Sequence, residues 1–250
     1  MPYSLGIHYA ISRLGGQSSL PIILIHGAGG TSYSWPPQLR RLTTHTVLAP
    51  DLPSHGKSAP FEISTLDEVA TILLDWLNSL GIQQFSVCGH SMGGAIGLLL
   101  ALIAPQRVRR LILIGSAARL AVNPTLLELS SQASTLPQAV ELLIKWSFAP
   151  HTPQKLQELT AKKLLENHPQ TLFQDLSACN QFDLTASLDH IQQPTLILTG
   201  EHDRMTPPQS AQFLAECIPN AQLEIIPNAG HMVVLEQPHY LAQLIRAFCL

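Results

Sequence analysis

The sequence has few charged residues and no block of charges of one sign. Only 12% of its 250 residues are Asp, Glu, Lys or Arg, and the formal net charge is −3. Proteins that bind the phosphates of nucleic acids carry a basic patch, whereas disordered chains combine many charges with few apolar residues. Neither pattern is present, so we expect a folded protein with no nucleic-acid partner.

Cysteine pairs and long apolar runs are also missing. The four cysteines, Cys88, Cys179, Cys217 and Cys249, are far apart and form no C-x-x-C pair, which favours free thiols in a reducing compartment. The sequence contains no apolar run long enough to cross a bilayer, and its first residues lack the basic start and apolar stretch of a signal peptide. We therefore expect a cytoplasmic protein without membrane contact.

Patterns typical of metal or cofactor sites are incomplete. The 11 histidines show no spacing such as H-E-x-x-H, so no metal is expected. Gly27-Ala28-Gly29 follows an apolar run, but Ser32 stands where a dinucleotide fingerprint carries its third glycine. Gly56-Lys57-Ser58 is similar to the end of a P-loop, but Asp51 replaces the required earlier glycine. The sequence therefore predicts no cofactor.

Residues 85–104 predict a strand, a sharp turn and a helix. A short β-type run ends at Cys88, and a long apolar helical run begins after Gly94. The residues between them, Gly89-His90-Ser91-Met92-Gly93, have the G-x-S-x-G spacing of a nucleophile elbow. In such an elbow a strained turn exposes a serine above a sheet, and the glycines allow strand and helix to pass closely. Ser91 is the predicted nucleophile.

Apolar strands alternate with helices in the first and last parts of the chain. Strands are predicted at 22–25, 46–50, 85–88, 111–115, 195–200 and 223–226, with an edge hairpin at 4–13 ended by Gly15 and Gly16. Helices are predicted at about 33–42, 65–80, 208–217 and 238–250. From about residue 117 to residue 191 only helical segments separated by prolines are found.

This order predicts the α/β class, with a mostly parallel, doubly wound sheet. The predicted organisation is a core formed by residues 1–116 and 192–250, with a helical cap insertion at 117–191 between two strands.

Two loops beyond the insertion carry the partners that a serine nucleophile needs. A serine hydroxyl requires an adjacent base, which a third group orients. Asp203 follows the first strand after the insertion, and His231 follows the last strand. Because the carboxyl ends of parallel strands meet at one edge of a sheet, we predict a catalytic triad of Ser91, Asp203 and His231. Glu201 and Asp183 are alternatives for the acid.

An oxyanion hole is predicted from two backbone amides. The N–H of Met92 lies in the first turn of the predicted helix, where no intrahelical acceptor exists and the helix dipole favours negative charge. The glycine-rich loop His26-Gly27-Ala28-Gly29-Gly30 is expected to supply the second donor, the N–H of Ala28. We expect His26 and His55 to be structural hydrogen-bonding residues in their loops, and His90, which flanks the nucleophile, to point elsewhere.

Together these segments resemble the α/β-hydrolase superfamily, in particular its small members with a helical cap. Such members include carboxylesterases, C–C bond hydrolases and cofactor-free haloperoxidase-like enzymes. The resemblance covers essentially the whole chain and is carried by residues 26–30 with Trp35, by 51–58, by the elbow, by 200–203 and by 230–231. Ser54 departs from the glycine common in relatives, and we expect a less strained turn there.

The resemblance implies a serine hydrolase that cleaves carboxylic esters of small molecules by an acyl-enzyme mechanism, as a monomer or homodimer. A C–C bond hydrolase or elimination enzyme with the same triad is one alternative, and a slow or non-catalytic small-molecule receptor is another. Candidate substrate-binding residues are Trp146, Phe148, Phe173, Phe182 and Arg119. If Arg119 or Arg204 faces the pocket, we expect a substrate that bears a carboxylate.

Overall fold

The structure is a computed structural model that describes residues 2–14 and 20–250. Its strands are β1 (Tyr3–Ser4), β2 (Ile7–Ser12), β3 (Ile22–Ile25), β4 (Val47–Pro50), β5 (Phe85–His90), β6 (Val108–Ile114), β7 (Thr195–Gly200) and β8 (Ala221–Ile226). Its helices are α1 (Pro37–Arg40), α2 (Leu66–Ser79), α3 (Met92–Ile103), α4 (Pro124–Ser130), α5 (Leu136–Ser147), α6 (Gln154–Leu165), α7 (Pro169–Gln181), α8 (Pro208–Cys217), α9 (Val233–Glu236) and α10 (Pro238–Cys249). Short 3₁₀ segments occur at Ser32–Ser34 and Thr185–His190.

All of these strands belong to one sheet of eight, in the order β1-β2-β4-β3-β5-β6-β7-β8. Strand β2 pairs antiparallel with both β1 and β4. The strands β3, β4, β5, β6, β7 and β8 all run parallel to one another. The predicted α/β class with a mostly parallel sheet is therefore confirmed. The predicted end of the first hairpin at Gly15 and Gly16 lies outside the described residues.

Both faces of the sheet are covered, because the side chains of each central strand alternate between two apolar layers. In β3, Ile23 and Ile25 pack into the layer under α2, α3 and α8, whereas Ile22 and Leu24 pack into the layer under α1, α9 and α10. This explains why the central strands are continuously apolar in sequence. The functional loops then emerge at the carboxyl edge, between the two layers.

Helix α2 matches its prediction because its start and its buried face are both encoded locally. Thr65 and Glu68 form a capping box, in which the Glu68 N–H donates to the Thr65 hydroxyl at 3.3 Å and the Thr65 N–H donates to the Glu68 carboxylate at 3.1 Å. Leu73 and Trp76 are fully buried. The chain leaves the helix through Gly81, with φ of +70°.

The prediction of one helix over residues 33–42 is wrong. The chain forms a 3₁₀ turn capped by Thr31 and then the single turn of α1. Proline lacks an N–H and disfavours helical backbone in the preceding residue, so Pro36 and Pro37 divide the segment.

Residues 117–191 are all described, and they contain α4, α5, α6, α7 and one 3₁₀ segment between β6 and β7. The β-pairing within this range is one isolated bridge, between Arg119 and Asp183. An apolar cluster joins α4, α5 and α7 through residues such as Leu126, Val140 and Leu176. Within the described part of the chain, no helix is long and apolar enough to cross a membrane.

Replacing Leu73 with Ala should lower the free energy of unfolding by about 2–5 kcal/mol, because the side chain is buried in the layer between α2 and the sheet. Chemical denaturation measures this change. The matched control is Asp75→Ala on the exposed face of the same helix, which should change stability by less than about 0.5 kcal/mol. Equal effects of the two substitutions would contradict the packing described above.

Candidate active site

Ser91 lies in a strained turn between β5 and α3. Its φ and ψ are 54° and −118°, a region that costs a non-glycine residue on the order of 1–3 kcal/mol. Two contacts with the end of β6 hold this geometry. The Ser91 N–H donates to the Ile114 carbonyl at 2.9 Å, and the Ser116 hydroxyl donates to the Ser91 carbonyl at 2.9 Å. The turn therefore presents the Ser91 side chain at the carboxyl edge of the sheet.

Glycines flank this turn because there is no room for side chains. A Cβ on Gly89 would lie 2.1 Å from the Gly93 carbonyl oxygen, and a Cβ on Gly93 would lie 2.0 Å from the Ile25 carbonyl oxygen. Strands β3 and β5 and helix α3 thus meet with their backbones in direct contact. The spacing of the two glycines around Ser91 follows from this close approach.

Asp203 and His231 form a buried pair after β7 and β8. The Nδ1 of His231 lies 2.9 Å from Oδ2 of Asp203, and both residues are buried. The Thr206 hydroxyl donates to the same Oδ2 at 2.9 Å, while the N–H groups of Met205 and Thr206 donate to Oδ1, both at 2.9 Å. The carboxylate is therefore fully provided with donors and fixes the orientation of the imidazole.

The electrostatics favour an ionised Asp203. Burial alone would raise its pKa, but the nearby His231 and the hydrogen bonds from His231 and Thr206 outweigh burial and hold the pKa below its usual value. Sequence reasoning missed Thr206, although its position three residues after Asp203 is typical of a local capping turn.

The loop that carries His231 is held by its backbone. His90 donates from Nε2 to the His231 carbonyl at 2.9 Å, and the Gly230 N–H donates to Oε2 of Glu236 at 2.7 Å. Burial and the nearby His231 lower the pKa of His90 to about 3, so its ring is neutral at pH 7. The other carboxylate oxygen of Glu236 accepts from the Ala149 N–H at 2.9 Å and also from the Thr152 hydroxyl. This clamp, which sequence reasoning missed, ties the histidine loop to the end of α5.

The two predicted oxyanion donors come from separate elements at the same edge of the sheet. Ala28 belongs to the loop after β3, and Met92 is the first residue of α3. The Gly30 N–H closes the loop by donating to the Gly27 carbonyl at 3.0 Å. The His26 ring sits beneath it, donating from Nδ1 to the same carbonyl at 2.9 Å and accepting the Leu52 N–H on Nε2 at 3.0 Å. Burial and the charge of His55 lower the pKa of His26 to about 4.

His55 forms a second buried pair, with Asp175 of α7. Its Nδ1 donates to the Pro53 carbonyl at 2.8 Å and its Nε2 donates to Oδ2 of Asp175 at 2.8 Å. Because both ring nitrogens face acceptors, this arrangement favours the imidazolium form of His55. Burial opposes that charge, but Asp175 and the hydrogen bonds outweigh burial and raise the pKa of His55. Thus His55 bonds within its own loop, as expected, and also reaches the inserted helices, which its sequence position does not indicate.

The turn at Ser54 differs from its prediction. Its φ is +65°, so this serine adopts the left-handed backbone that favours glycine, and the expectation of a less strained turn is wrong. The side chain compensates locally, because its hydroxyl accepts the Phe61 N–H at 2.8 Å and donates to the Phe61 carbonyl at 3.1 Å.

A cavity of about 760 Å³ opens above the sheet, and several of the predicted site residues line it. Ser91, His231 and Ala28 line it, as do Arg119, Trp146 and Arg204. The remaining lining includes aliphatic residues of the inserted helices, namely Leu126, Leu143, Ile144, Leu164, Leu172 and Leu176.

Three aromatic candidates do not reach this cavity. Phe148 and Phe182 are buried elsewhere, Phe182 within the apolar layer under α3, and Phe173 is absent from the lining. The prediction that these three residues bind substrate is therefore wrong, because the cavity wall does not include them. Helical periodicity alone cannot tell which face of an inserted helix turns toward the cavity.

The alternative acids lie apart from His231. Glu201 accepts the Asn228 N–H at 3.2 Å, and the exposed Asp183 pairs with Arg119 at 3.8 Å and accepts the Thr185 N–H at 2.9 Å. Asp203 is the acid that contacts the His231 ring. Among the described residues, no group of three or more His, Cys, Asp or Glu side chains could hold a metal ion.

Comparison with known proteins places this geometry in context. The model of the alpha/beta hydrolase family matches residues 22–244. A dihydrolipoyllysine-residue acetyltransferase component of an acetoin cleaving system from Pseudomonas putida is 34% identical over 94% of this chain, which spans only 65% of that relative. A 2-hydroxymuconate semialdehyde hydrolase from Pseudomonas putida is 30% identical, with 91% of this chain and 86% of the relative covered.

Among solved structures, a thermophilic esterase from Thermogutta terrifontis with malate bound superimposes with a TM-score of 0.86. It is 26% identical to this chain, and the match covers 97% of this chain and 92% of the esterase. The similarity therefore extends over both the sheet and the inserted helices.

The raised pKa of His55 predicts a specific pH dependence of stability. A histidine whose folded pKa exceeds the unfolded value of about 6.5 stabilises fully below that pH, and its contribution is lost as the pH rises through the folded pKa. His55→Gln, which keeps a donor but no charge, should therefore be less stable than wild type at low pH, with a difference that shrinks as the pH rises. Melting temperatures from about pH 5 to about pH 10 measure this. A difference independent of pH would contradict an ionic His55.

Proposed function

Because this chain belongs to the alpha/beta hydrolase family, we propose that it is a serine hydrolase that cleaves carboxylic esters of small molecules. The observation that carries the proposal is the buried pair of Asp203 and His231, whose Nδ1–Oδ2 distance is 2.9 Å, at the wall of the cavity that Ser91 also lines. The esterase from Thermogutta terrifontis supports the same reaction class.

In the first half of the reaction, Oγ of Ser91 attacks the carbonyl carbon of the ester. Nδ1 of His231 faces Asp203, so Nε2 is the nitrogen that receives the serine proton. The ionised carboxylate stabilises the imidazolium that forms. His231 then gives this proton to the departing alcohol, which leaves an acyl group on Ser91.

The developing negative charge on the carbonyl oxygen is stabilised by the N–H groups of Ala28 and Met92. Each such donor typically increases kcat by a factor of about 10²–10³, because it is oriented before the reaction begins. In the second half, His231 takes a proton from water, the resulting hydroxide attacks the acyl carbon, and the proton returns to Ser91 as the acid leaves. Both halves use the same triad and the same oxyanion hole.

The inserted helices are assigned the role of a cap that selects the acyl group. Helices α4 to α7 contribute most of the aliphatic lining, including Leu126, Leu143 and Leu172. A cavity of about 760 Å³ with such a wall fits an apolar acyl chain or ring. Trp146 adds an aromatic surface at the end of α5.

A second candidate is cleavage of a substrate that carries a carboxylate, including C–C bond cleavage with the same triad. The observation that favours it is the presence of Arg119 and Arg204 in the cavity lining. The Arg119 side chain also forms an ion pair with Asp183, with 3.8 Å between Nε and Oδ2. Arg204 directly follows Asp203 in the chain. The similarity to the 2-hydroxymuconate semialdehyde hydrolase agrees with this second candidate function.

Replacing Ser91 with Ala should abolish turnover of a short-chain p-nitrophenyl ester, because the nucleophile is removed. Losses on the order of 10⁴-fold or more in kcat are typical of such substitutions. The matched control is Ser86→Ala, a buried serine at the start of the same strand, which should stay within about twofold of wild type. Comparable turnover by Ser91→Ala would contradict the proposal, and a ligand-induced rise in melting temperature without turnover would favour a receptor.

Neutralising Arg204 tests the second candidate. Arg204→Gln should reduce kcat/KM about two- to fivefold for an ester with a terminal carboxylate, since Arg204 is exposed and charge pairs there contribute little. The neutral ester of equal length should be unaffected. Arg109→Gln provides the control, because Arg109 is exposed at the opposite end of β6. Equal losses for both esters would argue against recognition of the carboxylate.

A further inference from the structure

The backbone of Gly29, next to the proposed oxyanion donor, is held on both sides by residues from outside its own loop. Its N–H donates to Oδ2 of Asp175 at 2.7 Å, and its carbonyl accepts a hydrogen bond from the amide of Asn167. Gly29 has φ of +63°, and a Cβ there would lie 3.0 Å from Leu164. All three neighbours belong to the inserted helical region. The loop after β3 is therefore shaped partly by residues far away in sequence.

This contact restrains the backbone of Ala28 from one side, because the Gly29 N–H and the Ala28 carbonyl belong to one planar peptide group. The Ala28 N–H shares a plane with the Gly27 carbonyl, which accepts from the His26 ring and from the Gly30 N–H. The peptide on the other side of Ala28 includes the Gly29 N–H, which Asp175 fixes. Both dihedral angles of Ala28 are thus restrained, one side by the core and the other by α7.

Asp175 is itself well anchored. It is buried, and the oxygen that accepts from Gly29 also accepts from Nε2 of His55 at 2.8 Å. His55 in turn donates to the Pro53 carbonyl. A carboxylate that accepts from a cation and a backbone N–H forms shorter and stronger bonds than a neutral acceptor does. The charge of His55 therefore compensates the burial of the carboxylate that holds Gly29.

We propose that Asp175 is a positioning residue for catalysis, which holds the Ala28–Gly29 peptide and thereby restrains the dihedral angles of Ala28, so that the loop keeps the Ala28 N–H facing the oxyanion. This inference rests on the proposed ester hydrolysis. Asp175 touches neither the substrate nor Ser91, and acts through the backbone of the loop. Because it belongs to α7, the oxyanion hole is complete only when this helix is docked on the loop after β3.

A purely structural contact and a positioning contact predict different kinetics. If Asp175 only stabilises the fold, its loss lowers the melting temperature and leaves turnover by the folded enzyme unchanged. If it positions the Ala28 N–H, its loss lowers kcat with little change in KM, because the oxyanion exists only in the transition state. In that case, loss of Asp175 also weakens binding of a trifluoromethyl ketone inhibitor. Ser91 adds to the carbon of this ketone while its proton passes to His231, and the resulting oxyanion occupies the same hole.

The test compares Asp175→Ala with Asp175→Asn, in which Oδ1 of the new side chain can still accept the Gly29 N–H. In Asp175→Ala, kcat on a p-nitrophenyl ester should fall about 10–100-fold, less than complete removal of a donor would cause. Affinity for the trifluoromethyl ketone should fall by a similar factor, and KM should change by less than about threefold. Asp175→Asn should recover most of both losses.

Asn180→Ala is the matched control on the same helix. Asn180 accepts the Val122 N–H at 3.1 Å and makes no contact with Gly29, so its loss should leave kcat within about twofold of wild type. If Asp175→Ala does not fold, Asn167→Ala decides, because it removes the other hydrogen bond that holds the Gly29 backbone, the one to the Gly29 carbonyl, from a half-buried position. The same fall in kcat at unchanged KM is then expected.

The inference is overturned if folded Asp175→Ala keeps the kcat and the ketone affinity of wild type, or if its defect lies in KM alone. Equal losses in Asp175→Ala and Asn180→Ala would also overturn it, because they would indicate a general effect of α7. Failure of the proposed function gives a different result, namely equal ester turnover by wild type and Ser91→Ala.

Discussion

The close contact of three backbones beneath Ser91 is the constraint on which the rest of the site depends. Helix α3 can begin directly above β3 and β5 only because Gly89 and Gly93 have no side chains there. The same kind of contact recurs across the site, where a Cβ on Gly200 would lie 2.2 Å from the Gly230 carbonyl oxygen. Backbone contact on both sides holds the serine turn and the histidine loop close to the sheet, and the side chains of Ser116, His90 and Glu236 then bond to them.

Buried carboxylates then hold the loops that these contacts bring together. Asp203 joins its own loop to His231, Asp175 joins the loops after β3 and β4 to α7, and Glu236 joins the histidine loop to the end of α5. Each of them accepts several donors, which is the condition for keeping a charge inside a protein. Two of the three link the sheet to the inserted helices, so these helices contribute to the geometry of the site as well as to the wall of the cavity.

The parts of the site that sequence reasoning predicted are those with local signals. Ser91 lies in a short pattern of glycines, and the strand order brings Asp203 and His231 to the same edge. Asp203 contacts the His231 ring, and Ser91 and His231 line the same cavity, while their catalytic role stays a prediction. The contact between His55 and Asp175 joins residues 120 positions apart, and no local pattern marks a single acid on an amphipathic helix. The predicted helix at 33–42 does not form, because the consecutive prolines Pro36 and Pro37 interrupt the segment despite its apolar periodicity.

The order of strands has a consequence for synthesis of the chain. From β3 onward, the strands β5, β6, β7 and β8 are each added at the growing edge of the sheet in the order in which they are translated. A nascent chain can therefore extend its sheet strand by strand, with the serine turn formed long before His231 leaves the ribosome. Incomplete chains that already contain most of the sheet still lack His231, so its buried pair with Asp203 forms only with the last loop.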